Sequence, residues 1–282
     1  MHEKIILWQG CDLATLTPFL LPGKRKRPCV LVIPGGGYQN VCYSSEGAPI
    51  AQKFNQLGFH AAVLNYRVKP AIFPAPVEDA IRAMRIIRGH AESWQINPSC
   101  IAACGFSAGA HLAASLGTTI AQGVPAQAGD EYDRCDYVPD YLILCYGVLS
   151  FTQNRNPRCA ENLLGQERAN KEKLRFSPDK CVTRHTPPAF IWHTFTDQVV
   201  DYNSSILFAK AMTARKRPCE LHLFPRGDHG MLLGLHTPDV AIWPTLAKRF
   251  INAQEKFSPK LAPRYTNSYQ CQAETDFLET KK

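Results

Sequence analysis

Residues 99–112 read S-C-I-A-A-C-G-F-S-A-G-A-H-L, and this stretch decides the architecture of the chain. The run 99–104 has the apolar character of a short buried strand, and 111–120 (H-L-A-A-S-L-G-T-T-I) can continue as a helix. Between them lies Gly105-Phe106-Ser107-Ala108-Gly109, a G-x-S-x-G pentapeptide. Alone it matches many chains by chance. With a strand before it and a helix after it, the serine falls on a sharp turn that exposes its hydroxyl, and the flanking glycines let neighbouring backbone approach closely.

Working outward, strand-like and helix-like segments alternate. Upstream, residues 29–33 form an apolar strand ending at Pro34-Gly35-Gly36-Gly37, residues 52–57 form a helix that Gly58 caps, and 59–65 form the next strand. Val77, Ala80, Ile81, Met84, Ile87 and Ala91 then recur at helical spacing. Downstream, 121–139 is polar and irregular and 141–146 is a strand. Residues 150–188 are charged and poor in strand character, with a helix around 162–174, and read as an insertion over the active-site end of the sheet. Strands at 189–195 and 220–224 flank a helix at 203–215, and a last helix spans 240–254. The alternation predicts an α/β fold, a mostly parallel central sheet flanked by helices, in one domain over 1–282 with a polar peripheral tail at 257–282.

Composition narrows the function classes. Hydrophobic residues make up 45% and charged residues 20%, the balance of a chain that buries a sizeable core. The net charge of +8 has its densest cluster at Lys24-Arg25-Lys26-Arg27, between prolines, which reads as a solvated turn and not as a nucleic-acid surface. Eleven scattered cysteines without any C-x-x-C pair argue against a disulfide framework and a zinc site, so neither metal nor cofactor is expected. The apolar run 5–8 is too short for a signal-peptide core, no stretch reaches membrane-spanning length, and the expected location is the cytoplasm. A homo-oligomer stays open.

A serine hydroxyl needs a histidine base, and the base needs an acid to orient it. In a strand–turn–helix setting the chain order is Ser, acid, His, each on a loop after a strand. Asp197 follows the strand 189–195, and His229 lies in Pro225-Arg226-Gly227-Asp228-His229-Gly230 after the last strand. Gly36, Gly37 and the amide of Ala108 are the candidate oxyanion donors. Neither a dinucleotide nor a Walker spacing competes for the glycines. His111 reads as a packing residue of the helix, His193 and His222 as core or sheet histidines, and His60 and His90 have no acid at a telling position. Asp201 and Asp228 compete with Asp197, and Glu78-Asp79 reads as a helix-dipole pair.

With these residues in place the chain resembles the α/β-hydrolase superfamily. Within it, the chain is similar to small bacterial esterases of the acetylesterase or acetyl xylan esterase-like type. The similarity runs over about residues 29–250 and rests on Val32-Ile33-Pro34-Gly35-Gly36-Gly37-Tyr38, Ser45-Glu46-Gly47, Leu64-Asn65-Tyr66-Arg67, the pentapeptide with Ala110-His111-Leu112, His193-Thr194 with Asp197, Asn203-Ser204, and Leu221-His222-Leu223-Phe224-Pro225 with Gly227, His229 and Gly230. It implies Ser107 as nucleophile, Asp197 as acid, His229 as base and Gly36–Gly37 as the oxyanion loop. Three departures stand out: Pro34 where lipase relatives carry histidine, Ala110 for a frequent glycine, and Asp201 where proline is common. The expected activity is a serine esterase releasing acetyl or similarly short acyl groups from a small-molecule ester, an acylated carbohydrate by family analogy. A peptidase or amidase of the same fold, or a binding protein that keeps the fold without turnover, remain the alternatives.

Overall fold

The computed structural model describes residues 3–153 and 157–257. The expected tail at 257–282 lies, beyond the last helix, outside the described residues. In chain order the elements are β1 (Ile5–Trp8), β2 (Cys11–Phe19), β3 (Arg27–Ile33), α1 (Tyr43–Glu46), α2 (Ala48–Gln56), β4 (His60–Asn65), α3 (Ala75–Gly89), β5 (Ile96–Phe106), α4 (Ala108–Leu116), β6 (Tyr141–Cys145), α5 (Arg158–Leu164), α6 (Gln166–Glu172), β7 (Ala189–Thr194), α7 (Asn203–Ala214), β8 (Cys219–Phe224), α8 (Pro238–Ala241) and α9 (Trp243–Phe257).

The strands join one eight-stranded sheet in the order β1-β2-β4-β3-β5-β6-β7-β8. Strands β3 to β8 run parallel, while β2 is antiparallel to both β1 and β4. This is the expected α/β sheet, with an antiparallel edge that adds β1 and β2 to the parallel strands. Residues 5–8 were expected only as a short apolar run. C-D-L-A-T-L-T-P-F at 11–19 mixes polar and apolar positions and contains Pro18, which is tolerated because the pairing with β1 reaches only Leu16, so the strand has no β1 partner at residue 18.

Side chains alternate across the sheet because successive strand residues face opposite ways. In β3, Leu31 and Ile33 join the core packed by α3, α4 and α7, whereas Val30 and Val32 join the core of α2 and α9 with Phe54, Trp192 and Trp243. Both faces are covered, so the parallel strands read as continuous apolar runs. Each fully buried Leu or Ile contributes about 1.5–3 kcal/mol relative to exposure.

Element boundaries differ from expectation where local chemistry intervenes. Strand β5 extends at both ends of the expected 99–104, and α4 starts directly after Ser107 and stops at Leu116. The single helix expected at 162–174 is two, α5 and α6, separated by Gly165 at φ 77°. Asp79, read as a dipole partner, is instead fully buried: it accepts from the Trp8 indole at 2.6 Å and from the Arg67 guanidinium and amide, fastening α3 to β1 and to the end of β4.

Candidate active site

Ser107 sits at the junction of β5 and α4 with φ 51° and ψ −118°, a backbone geometry that is strained for any residue with a side chain. Neighbouring backbone holds it there: its N–H donates to Cys145 O at 3.0 Å, and its carbonyl accepts from the Val148 amide at 3.2 Å. The flanking glycines are required by close approach. A Cβ on Gly109 would fall onto the carbonyl oxygens of Ile33 and Pro34, and one on Gly105 would lie 2.6 Å from Ala110 Cα. Ala110, the departure from a frequent glycine, fits because Gly147 faces it, with room for no side chain of its own.

Three residues from loops after β5, β7 and β8 meet here. His229 Nε2 lies 2.9 Å from Ser107 Oγ, and its Nδ1 lies 2.7 Å from Asp197 Oδ2. A carboxylate facing Nδ1 fixes the proton on that nitrogen, leaving the Nε2 lone pair for the serine hydroxyl. The two loops are tied together, since Thr194 and Thr196 hydroxyls donate to Gly227 O at 2.8 and 2.9 Å. Asp197 is fully buried and accepts the Val199 and Val200 amides at 2.8 and 2.9 Å and His193 Nε2 at 3.1 Å. Burial alone pushes its pKa up, but the hydrogen bonds from His193, His229 and Val200 outweigh that and hold the carboxyl well below the usual range.

The other candidates are engaged elsewhere. Asp201 accepts from the amide and side chain of Asn203 at the entrance to α7, and Asp228 is exposed. His60 joins Leu21 and Gln95, His90 stacks on Trp94, and His222 pairs with Glu220. His111 is fully buried, with Nδ1 2.8 Å from the Tyr38 hydroxyl and Nε2 2.8 Å from Phe176 O. The thiols near the site, Cys42 and Cys159, are both pushed up by burial, Cys159 to about 12, which disfavours the thiolate a nucleophile needs.

The glycine loop is aimed plane by plane. In a trans peptide the carbonyl and the next N–H point in opposite directions, so gripping one sets the other. Pro34 O accepts from the Tyr66 hydroxyl at 2.8 Å, and the Gly35 amide donates to Glu46 Oε2 at 2.6 Å. Gly35 O accepts from Cys42 N at 2.9 Å, which orients the Gly36 amide. Gly36 O accepts from Gln39 N at 3.0 Å, which orients the Gly37 amide, and Gly37 O accepts from Asn162 Nδ2 at 2.9 Å. The positive φ of 125° at Gly36 and 64° at Gly37 is what this path demands. Gly35 also lies against the nucleophile, as a Cβ there would sit 3.0 Å from Ser107 Cβ.

Ser107, His229 and the loop open onto a cavity of about 760 Å³. Its lining includes the apolar Val148, Val199, Val200 and Leu232 and the polar Gln39 from the glycine loop, Lys69 from the stretch after β4, and Arg158, Glu161 and Asn162 from α5. No group of three or more His, Cys, Asp or Glu side chains among the described residues is arranged to hold a metal. No described helix is long and apolar enough to cross a membrane.

A serine on a strand–helix elbow, with acid and base on loops after the last two strands of a mostly parallel sheet, defines the α/β-hydrolase fold. The chain belongs to the BD-FAE family, whose profile matches residues 19–212. It is 38% identical over 210 residues to endo-1,4-beta-xylanase B of Butyrivibrio fibrisolvens, over 73% of this chain and 33% of that protein. To an acetylxylan esterase of Xylanibacter ruminicola it is 31% identical over 219 residues, 76% of this chain and 43% of the relative. The chain therefore spans less than half the length of these curated relatives. The crystal structure of an acetyl ester-xyloside bifunctional hydrolase from Caldicellulosiruptor lactoaceticus superposes with a TM-score of 0.84 at 35% identity, over 90% of this chain and 97% of that one.

Several contacts around the site have no local signal in the sequence, although Glu46 falls within the Ser45-Glu46-Gly47 stretch. The Glu46 and Tyr146 contact spans 100 positions and Asn162 reaches Gly37 across 125, so no local spacing advertises either. His193 was read as a core histidine, and it is buried, yet it also grips Asp197; its place four residues before the acid was the available signal.

Proposed function

We propose that the protein is a serine carboxylesterase that removes acetyl or other short acyl groups from acetylated sugars or xylo-oligosaccharides through an acyl-enzyme on Ser107. The observation that carries this reading is the unbroken hydrogen-bond chain Ser107–His229–Asp197 beside a cavity whose lining includes several polar side chains. Ser107 Oγ attacks the ester carbonyl as its proton passes to His229 Nε2. The carboxylate of Asp197 stabilises the imidazolium, and the amides of Gly36, Gly37 and Ala108 receive the oxyanion. His229 then gives its proton to the departing sugar oxygen. In the second half it activates water to release the carboxylate and restore the serine.

The polar lining and the carbohydrate esterases among the relatives support a sugar as the alcohol. The ten free cysteines among the described residues support a reducing compartment, the cytoplasm. The test is turnover of 4-nitrophenyl acetate, an acyl-length series and acetylated xylo-oligosaccharides by wild type and Ser107→Ala. A fall in kcat of at least roughly 10⁴-fold is expected for the variant. Undiminished turnover by Ser107→Ala, or faster cleavage of an aminoacyl amide than of the acetyl ester, refutes the reading.

A further inference from the structure

Glu46 is a carboxylate with 5% exposure in a wall of the cavity that holds Ser107, and the acyl-transfer chemistry gives it no task. Its two oxygens are used in different directions. Oε2 accepts the Gly35 amide at 2.6 Å, at the first peptide of the glycine loop. Oε1 accepts the Tyr146 hydroxyl at 2.8 Å. The Tyr146 ring meets the His229 imidazole edge to face, with centroids 5.2 Å apart, and its hydroxyl also receives the Leu232 amide at 3.4 Å from the loop that carries the base. One carboxyl therefore touches the supports of both the oxyanion loop and the histidine.

Burial of a carboxyl is unfavourable unless its oxygens are satisfied, and this one is satisfied by two donors whose positions matter to the reaction. Three consecutive glycines have more backbone freedom than any other tripeptide, so the loop keeps its amides aimed only while its ends are gripped. Removing the grip at Gly35 leaves the first plane held by Tyr66 alone.

We propose that Glu46 is a positioning residue for the reaction at Ser107, fixing the Gly35 end of the oxyanion loop and the Tyr146 support of His229 as one unit. The inference rests on Ser107 being the nucleophile. Glutamine at this position has the same shape: its amide oxygen can accept the Gly35 N–H, while its NH₂ donates to the Tyr146 oxygen. Alanine keeps neither contact.

The test compares wild type, Glu46→Ala, Glu46→Gln, Tyr146→Phe and Glu46→Ala/Tyr146→Phe with 4-nitrophenyl acetate, active sites being counted by a fluorophosphonate probe. Glu46→Ala is expected to lower kcat about 100-fold, the scale of a lost oxyanion donor, with KM changed by less than about threefold. Glu46→Gln restores kcat to within about tenfold of wild type, and Tyr146→Phe lowers kcat alone but adds little to Glu46→Ala, because coupled residues are not additive. A kcat for Glu46→Ala within twofold of wild type overturns the proposal, as does a loss in Glu46→Gln equal to that in Glu46→Ala. Should the alanine variant not fold, Tyr146→Phe decides: a kcat within twofold of wild type overturns the proposal. A wild-type protein that the probe does not label at Ser107 refutes the esterase reading instead, so the two failures are distinguishable.

Discussion

Replacing His111 by glutamine tests the electrostatics of the core beside the site. His111 is wholly buried, and burial pushes its pKa down from 6.5 to about 4, against the opposing hydrogen bond to Phe176 O. With a folded value below the unfolded one, the native state binds fewer protons, so stability is fully present above pH 6.5 and falls as the pH drops toward 4. The fall from 6.5 to about 4 is worth roughly 3 kcal/mol over the window. About 1 kcal/mol should be lost between pH 7 and 5.5 and about 3 kcal/mol by pH 4. Asp197 works in the same direction, but its stabilisation is lost only below the ordinary carboxylate range, so the two are separable. The assay is reversible urea unfolding of wild type and His111→Gln at pH 7, 5.5 and 4.5. Glutamine can keep one of the two contacts and does not titrate, so the variant starts less stable but slopes less with pH. Equal slopes for the two proteins would refute the titration of His111 as the cause.

Three other outcomes follow from the contacts. Asp197→Asn should lower kcat on 4-nitrophenyl acetate by about 10⁴-fold, because an amide at Nδ1 no longer enforces the productive tautomer. Gly109→Ala places a methyl on the Ile33 and Pro34 carbonyls and 2.7 Å from Pro34 C, so calorimetry should record a Tm lower by roughly 10 °C, as for an overpacking penalty near 3 kcal/mol. Asp79→Ala leaves the Trp8 indole without its acceptor and Arg67 with only Glu78 and Ala75 O, and urea unfolding should report a loss of about 1–3 kcal/mol with the active-site geometry intact.

The parts of the molecule that were legible are those whose cause is local. Ser107, Asp197 and His229 each follow an apolar run with turn residues behind it, so strand-end placement could be inferred one loop at a time. The parallel strands showed as continuous hydrophobic runs because both faces of the sheet are covered. The antiparallel edge was not legible, since β2 mixes polar and apolar positions without a regular period, carries Pro18 and takes its identity from pairing with β4. The break between α5 and α6 was available in Gly165, whose positive φ ends one helix and opens the next. The partners of Glu46, His111 and Gly37 were beyond reach because each contact is made by tertiary approach across 65 to 125 positions, or at Gly35 by a turn with no periodic signal.

The loops that build the site are spread along the order of synthesis. The glycine loop follows β3, the serine follows β5, and the acid and base arrive last, after β7 and β8. On the proposed reading, a ribosome-bound chain carries its nucleophile unarmed for more than a hundred residues, until the final strand docks at the edge of the sheet. Recovery of esterase activity after dilution from denaturant therefore times the closing of the sheet's last seam, and it should lag behind the return of helical and strand signal.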